Sequence, residues 1–231
     1  MTSFNKSYSI DRNTFDQGYS VIRSLASNKL VSEIIAEIDR IIETSDSKWL
    51  NFNSAKTGKD EYIVIRSIDT PSDMLFRLGR DSLLVELAEE IGGKKVTPMY
   101  SEYFAKPPRS NCETPVHQDQ AFYEEHFNDE LGITFWIALD DCDENNGGMH
   151  VKPTESRTLL PHVKSDMLGF KYQMKNQIKD GFVAIKLEKG DALVHCAYTP
   201  HFCEPNTTIR ARRAIAITFR TSQYREELFG V

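Results

Sequence analysis

The stretch that decides the fold is Thr114-Pro115-Val116-His117-Gln118-Asp119-Gln120. Read as a β-strand, it puts His117 and Asp119 on one face, because strand side chains two apart point the same way. An imidazole nitrogen and a carboxylate oxygen can then converge on one metal ion without a bend in the backbone. Pro115 suits the entry to such a strand, where its missing N–H matters least. A lone His-x-Asp arises often by chance, and most copies are solvated surface residues, so a third ligand with its own context is needed.

That context lies near the C-terminus, in Pro200-His201-Phe202-Cys203-Glu204-Pro205-Asn206, followed by Arg210-Ala211-Arg212-Arg213-Ala214-Ile215-Ala216-Ile217. His201 stands where a strand ends and a Pro/Asn turn begins, and the next strand is expected to return antiparallel. This geometry is expected to bring His201 across a barrel to His117 and Asp119. Two imidazoles and one carboxylate on one face of a metal leave positions open, the ligand pattern of non-haem Fe(II) oxygenases. In the last strand Arg212, Ala214, Ala216 and Thr218 share one face, while Arg213, Ile215, Ile217 and Phe219 share the other. The first face is small apart from one arginine, as a cavity wall with one fixed charge requires. Arg212 can hold a carboxylate there through a two-pronged hydrogen bond that lysine does not reproduce. The second face is bulky and fits packing against helices.

The helices come first in the chain. Leu30, Val31, Ile34, Ile35, Ile38, Ile41 and Ile42 recur at three- and four-residue steps, behind a capping Ser27 or Asn28. Two more helices are expected over residues 73–79 and 81–91, the second stopped at Gly92-Gly93. Residues 1–13 read as a loose leader, 15–25 as a short strand, and 45–60 as a polar loop. A strand is expected over 62–65. After Lys95 the pattern turns to short strands over 96–104, 131–139, 149–153, 182–187, 192–197 and 211–221, with Gly/Pro/Asn turns between them. Residues 154–180 are polar and irregular, with helical potential over 163–173. Helices followed by many short strands favour a mainly β fold with packed helices: a jelly roll or double-stranded β-helix core over about 96–222, behind a helical part over about 14–92, all in one domain.

Composition narrows the function. The chain has 231 residues, 40% hydrophobic and 27% charged, within the range of one ordinary globular domain. A net charge of −6 argues against a nucleic-acid binder, which would carry a basic face. No apolar run is long enough to span a bilayer, and Met1 to Ser9 lacks the apolar core of a signal peptide, so a cytoplasmic protein is expected. Cys112, Cys142, Cys196 and Cys203 form no Cys-x-x-Cys pair, which speaks against a thiolate zinc site.

Taken jointly, residues 114–119, the strand Trp136-Ile137-Ala138-Leu139-Asp140-Asp141 with Asn146-Gly147, and His201 with Pro205-Asn206 and an arginine eleven residues on resemble the phytanoyl-CoA dioxygenase (PhyH) family of Fe(II)/2-oxoglutarate oxygenases. The opening Phe15-Asp16-Gln17-Gly18-Tyr19, followed by a helix, is similar too. The resemblance implies Fe(II) on His117, Asp119 and His201, with 2-oxoglutarate chelating the metal and Arg212 on its distal carboxylate. It implies Met99, Trp136 and Cys203 near the cosubstrate. It further implies reaction with O2, release of succinate and CO2, and hydroxylation of a small-molecule metabolite. Two departures are visible: Cys203 replaces a common serine, and Lys152-Pro153-Thr154-Glu155-Ser156 replaces a Gly-Ser-His segment. They motivate the alternative of a non-catalytic cupin-like sensor or binding module. A zinc hydrolase on the same triad is a third reading, in which Arg212 has no assigned partner.

Among the bland readings, His195 is a core histidine with one hydrogen bond, and His126, His150 and His162 are surface or loop residues. Tyr123 is either a packed aromatic or a site residue. Lys106 is a solvated loop charge, and Arg210 and Arg213 meet solvent or the acidic surface. Loops 45–60, 105–113 and 154–180 are expected to shape the pocket mouth.

Overall fold

The computed structural model describes residues 3–11, 15–57, 61–123 and 131–221. In chain order the elements are β1 (Ser9–Asp11), β2 (Tyr19–Arg23), α1 (Asn28–Thr44), α2 (Ser47–Asn53), β3 (Ser54–Lys56), β4 (Tyr62–Ile65), α3 (Asp73–Leu78) and α4 (Ser82–Gly92). Then come β5 (Val96–Lys106), β6 (Thr114–His117), β7 (Gly132–Ala138), β8 (Met149–Val151), β9 (His162–Lys164) and β10 (Tyr172–Met174). The chain ends its described part with β11 (Val183–Ala184), β12 (Ala192–Cys196), β13 (His201–Cys203) and β14 (Arg212–Thr221).

Helix α1 forms where the apolar spacing placed it. The Ser27 side chain accepts a hydrogen bond from the Leu30 amide at 3.1 Å, and Leu30, Val31, Ile34, Ile38 and Ile41 are buried along one stripe. Gly93 ends α4 in the left-handed conformation, φ 64°. The helices cover one face of an eight-stranded sheet ordered β1-β2-β12-β7-β14-β5-β4-β3. Leu30, Ile34, Leu84, Ile133, Phe135, Ile215, Ile217 and Phe219 belong to one apolar cluster on that side. A four-stranded sheet, β11-β8-β13-β6, faces the other side, and β9 and β10 form a separate hairpin. All strand pairs among the described residues are antiparallel. This is the mainly β, jelly-roll arrangement expected, with the cavity between the two sheets.

Several local expectations change. Residues 45–60 are not a plain loop: Asp46 caps α2 through the amides of Lys48 and Trp49, and β3 follows. The leader is partly tied down, since β1 pairs with β2 and Phe4 is buried. Within 15–25, Phe15–Gln17 is a 3-10 turn and only Tyr19–Arg23 is strand. The helical potential at 163–173 gives way to the β9–β10 hairpin, where cross-strand pairing such as Gln173 with Val163 takes the backbone groups. The strand expected over 182–187 shrinks to Val183–Ala184, both of which are exposed. Lys106 is buried rather than solvated. It ends β5, and its ammonium donates to the Cys112 and Cys203 carbonyls. Burial pushes its pKa down to about 8.

Candidate metal centre and cosubstrate pocket

The first ligand pair is built differently from the strand reading. Strand β6 ends at His117, and Asp119 opens a 3-10 turn, Asp119–Phe122. The turn, not the pleat, aims the carboxylate. Between the two, Gln118 points away from the cavity and is almost fully buried. Its amide nitrogen donates to the Thr158 and Tyr198 carbonyls at 3.0 and 2.6 Å, and its amide oxygen accepts from the Leu160 amide at 2.8 Å. The His-x-Asp backbone is thus held from behind by three contacts.

His201 does not reach across a barrel. Strands β6 and β13 are neighbours, and His201 pairs directly with His117 in their register. The two rings lie 4.1 Å apart between centroids. Asp119 Oδ1 stands 3.5 Å from His117 Nε2 and 3.4 Å from His201 Nε2. One donor atom from each of the three residues falls within 4.8 Å of the others.

The protonation pattern suits a metal. His117 Nδ1 lies 2.8 Å from the Pro115 carbonyl and His201 Nδ1 lies 2.9 Å from the Thr199 carbonyl. A carbonyl oxygen only accepts, so each Nδ1 carries the proton and each Nε2 presents a lone pair inward. Burial, with the neighbouring imidazole of His117, holds His201 neutral, well below the usual histidine range. Burial alone would raise the Asp119 pKa, but the imidazoles of His201, His117 and His195 hold the carboxyl well below its usual value. Its other oxygen, Oδ2, accepts from His195 Nε2 at 3.1 Å and from the Thr134 hydroxyl at 3.3 Å. His195 is therefore the buried histidine with one hydrogen bond that was expected, and that bond goes to the candidate ligand. Thr134 in turn meets Thr218 at 3.2 Å. The larger sheet thus orients a carboxylate carried by the smaller one.

A cavity of about 430 Å³ opens beside this triad, within the range for small-molecule sites. Arg212 lines it and is 2% exposed, with Nε and Nη1 buried and without a hydrogen-bond partner. Its guanidinium carbon sits 5.2 Å from the Trp136 ring centre. A buried guanidinium with two nitrogens lacking hydrogen-bond partners is costly unless an anion completes it, so the residues present fit a bound carboxylate. The donor set fits Fe(II) as well: neutral imidazoles, one carboxylate and open space on the remaining side.

Of the other expected residues, Trp136 and Cys203 line the cavity, and the Cys203 thiol rests 3.3 Å from the Met149 sulfur. Met99 does not line it. The β5–β14 register slips between Thr218 and Phe219, where Tyr100 and Pro98 are the partners, leaving Met99 as the unpaired residue of a bulge. Tyr100, Glu102 and Phe104 face the cavity instead. Tyr123 packs against Gly132, outside the lining. His150 stacks on Phe202 at 4.6 Å, and His162 accepts from the Gln118 amide, so neither enters the cavity. His126 falls outside the described residues. Arg213 pairs with Asp140, and Arg210 with Asp143, as acidic surface partners. Segment 154–180 does shape the mouth, through Gly169, Phe170 and Lys171, but the described residues of 45–60 and 105–113 add none to the lining. Arg66 and Ser67 do so instead, and no periodicity marked them.

The jelly-roll fold and a donor set of two imidazoles and one carboxylate match the ligand pattern of non-haem Fe(II) oxygenases. The sequence match is to phytanoyl-CoA dioxygenase (PhyH), over residues 15–214, and the chain belongs to that family. It is 28% identical over 125 residues to a phytanoyl-CoA dioxygenase domain-containing protein 1 homolog of Dictyostelium discoideum, an alignment covering 51% of this chain and 44%, under half, of that relative. It is 22% identical over 211 residues to a 2-aminoethylphosphonate dioxygenase from the uncultured bacterium HF130_AEPn_1, covering 88% of this chain and 78% of that one. Among solved structures, EvdO2 from Micromonospora carbonacea var. aurantiaca, complexed with 2-oxoglutarate, superposes with a TM-score of 0.75 at 22% identity, over 96% of this chain and 94% of that one. No helix among the described residues is long and apolar enough to cross a membrane.

Proposed function

We propose that this chain oxidises a small-molecule metabolite, most simply by hydroxylation, with Fe(II) on His117, Asp119 and His201 and 2-oxoglutarate anchored by Arg212. The observation that carries this reading is the pairing, in one cavity, of a three-residue donor set with a buried guanidinium whose Nε and Nη1 lack a hydrogen-bond partner. Iron with 2-oxoglutarate and O2 would supply the oxidising chemistry, releasing succinate and CO2. The chain's own residues place and shield it. The two carbonyl-pinned imidazoles keep their lone pairs inward, Thr134 and His195 hold the free carboxylate oxygen, and Trp136 and Cys203 wall the cosubstrate end. Helices and main sheet share one apolar cluster, which supports reading 1–231 as a single domain. The free cysteines fit a reducing, cytoplasmic setting.

Anaerobic titration with Fe(II) and 2-oxoglutarate tests the reading. A weak metal-to-ligand absorption band is expected in the wild type and absent in His117→Ala. A second reading, a non-catalytic sensor of the same barrel, is favoured by Cys203, a weaker donor than serine, at the cosubstrate wall. Succinate formed under air without added substrate separates the two: the dioxygenase produces it and the sensor does not.

A further inference from the structure

Glu102 is the group in the cavity that the reading above leaves without work. It lies on the cavity-facing row of β5, opposite Ala216, between Tyr100 and Phe104. Its nearest cation is Arg66, whose Nε stands 3.8 Å from the carboxylate, beyond hydrogen-bond reach. The Arg66 Nη2 donates instead to the Gly169 carbonyl, on the loop carrying Phe170 and Lys171. Among the described residues no donor hydrogen-bonds to the Glu102 carboxylate. An ionised carboxylate has room for about four hydrogen bonds, and Glu102, its side chain 21% exposed toward the cavity, makes none with the described residues. Its largely buried position pushes the carboxyl up to about 7. A purely structural partnership with Arg66 fits poorly, because the guanidinium spends its close contact on the loop.

We infer that Glu102 is a substrate-recognition residue, and that the substrate is an amino-acid-like zwitterion whose ammonium group docks on Glu102 while its acidic group meets Arg66 and Lys171. The inference rests on the dioxygenase reading and specifies what that site takes. An ammonium group brings three donors and the missing positive charge to the carboxylate. Phe122 and Phe170 wall the same cavity, and aromatic faces favour a desolvated cation. Arg66 and Lys171 reach solvent at the mouth while lining the cavity. Two cations there disfavour a simple alkylamine and favour an amine that carries its own anion close by. The 3.8 Å between Arg66 and Glu102 suits a ligand whose opposite charges are only a few bonds apart.

The test uses the full chain loaded with Fe(II) and 2-oxoglutarate under nitrogen and a whole small-molecule extract from cells that make it. Compounds other than 2-oxoglutarate that stay with the protein on ultrafiltration are identified by mass spectrometry. The expected retained compounds carry both a free amine and an acid, and N-acetylating the extract beforehand abolishes their retention. Glu102→Gln should weaken retention by at least about tenfold, as loss of a charge-assisted hydrogen bond implies, with Glu102→Asp recovering part of it. Retained compounds without an amine, retention that survives acetylation, or no retained compound would each overturn the assignment. The acetylation arm uses wild-type protein, so it decides even if a variant misfolds. If the Fe(II)/2-oxoglutarate band forms and the retained set lacks amines, only the Glu102 role falls; if the band never forms, the dioxygenase reading falls first.

Discussion

Single side chains set the chemistry, and three of them give direct tests. Arg212 has two unpartnered nitrogens facing a cavity. Arg212→Lys keeps the charge but removes the fork, so the dissociation constant for 2-oxoglutarate should rise by roughly 10- to 100-fold, the weight of a lost charge-assisted hydrogen bond. Titration of the anaerobic band measures it, and an unchanged constant would remove Arg212 from the cosubstrate site. Thr134 donates to the Asp119 oxygen that faces away from His117 and His201. Thr134→Val should weaken Fe(II) binding by about tenfold while leaving the fold intact, since outer partners of metal ligands typically contribute that much. Competition against a metal chelator reads this. Gln118 shows where residue-level reading of the sequence stopped. Alternation places it outward, yet only the folded chain supplies the Thr158, Leu160 and Tyr198 groups that satisfy its amide.

At the level of elements, α1 is the part most legible in the sequence, because its stripe of Leu30, Val31, Ile34, Ile38 and Ile41 follows the helical period and Ser27 caps it. Ser27→Ala should lower stability by about 1 kcal/mol, a few degrees in Tm for a chain of this size. The same helix carries an acid-sensitive contact. The Glu37 carboxyl is held below its usual value chiefly by hydrogen bonds from Arg40, against the opposing effect of burial, with the Ser72 hydroxyl adding to it. A depressed carboxyl stabilises the fold above its unfolded pKa, and that contribution is lost as pH falls through the folded value. Glu37→Gln should therefore lower Tm at neutral pH and flatten its fall below about pH 4.5, so that the two proteins converge in acid; a parallel fall in both proteins would remove the contact from the acid response. By contrast, β9 and β10 run against their local sequence, which favours helix. A three-residue strand has too little periodicity to be read, and its pairing partner lies eight or more positions away.

Across the whole molecule, the donor set exists only when the two sheets face each other. His117 and His201 sit on adjacent strands of the smaller sheet, while Thr134, His195 and Thr218 reach Asp119 or its neighbours from the larger one. An unfolded chain offers no such site, so Fe(II) with 2-oxoglutarate should stabilise by mass action. At about one hundred times the dissociation constant the gain is near ~2.7 kcal/mol, and a chelator should reverse it. A Tm independent of both ligands would count against the site. The sequence by itself determined the ligand types, the small face and single arginine of β14, the apolar stripe of α1 and the mainly β class, because side-chain chemistry and period are local properties. It could not place Asp119 on a turn, put His201 beside His117, leave Met99 unpaired in a bulge, or bring Arg66 to Glu102. Those outcomes depend on register and on contacts between distant segments, which exist only once the sheets have paired and closed on each other.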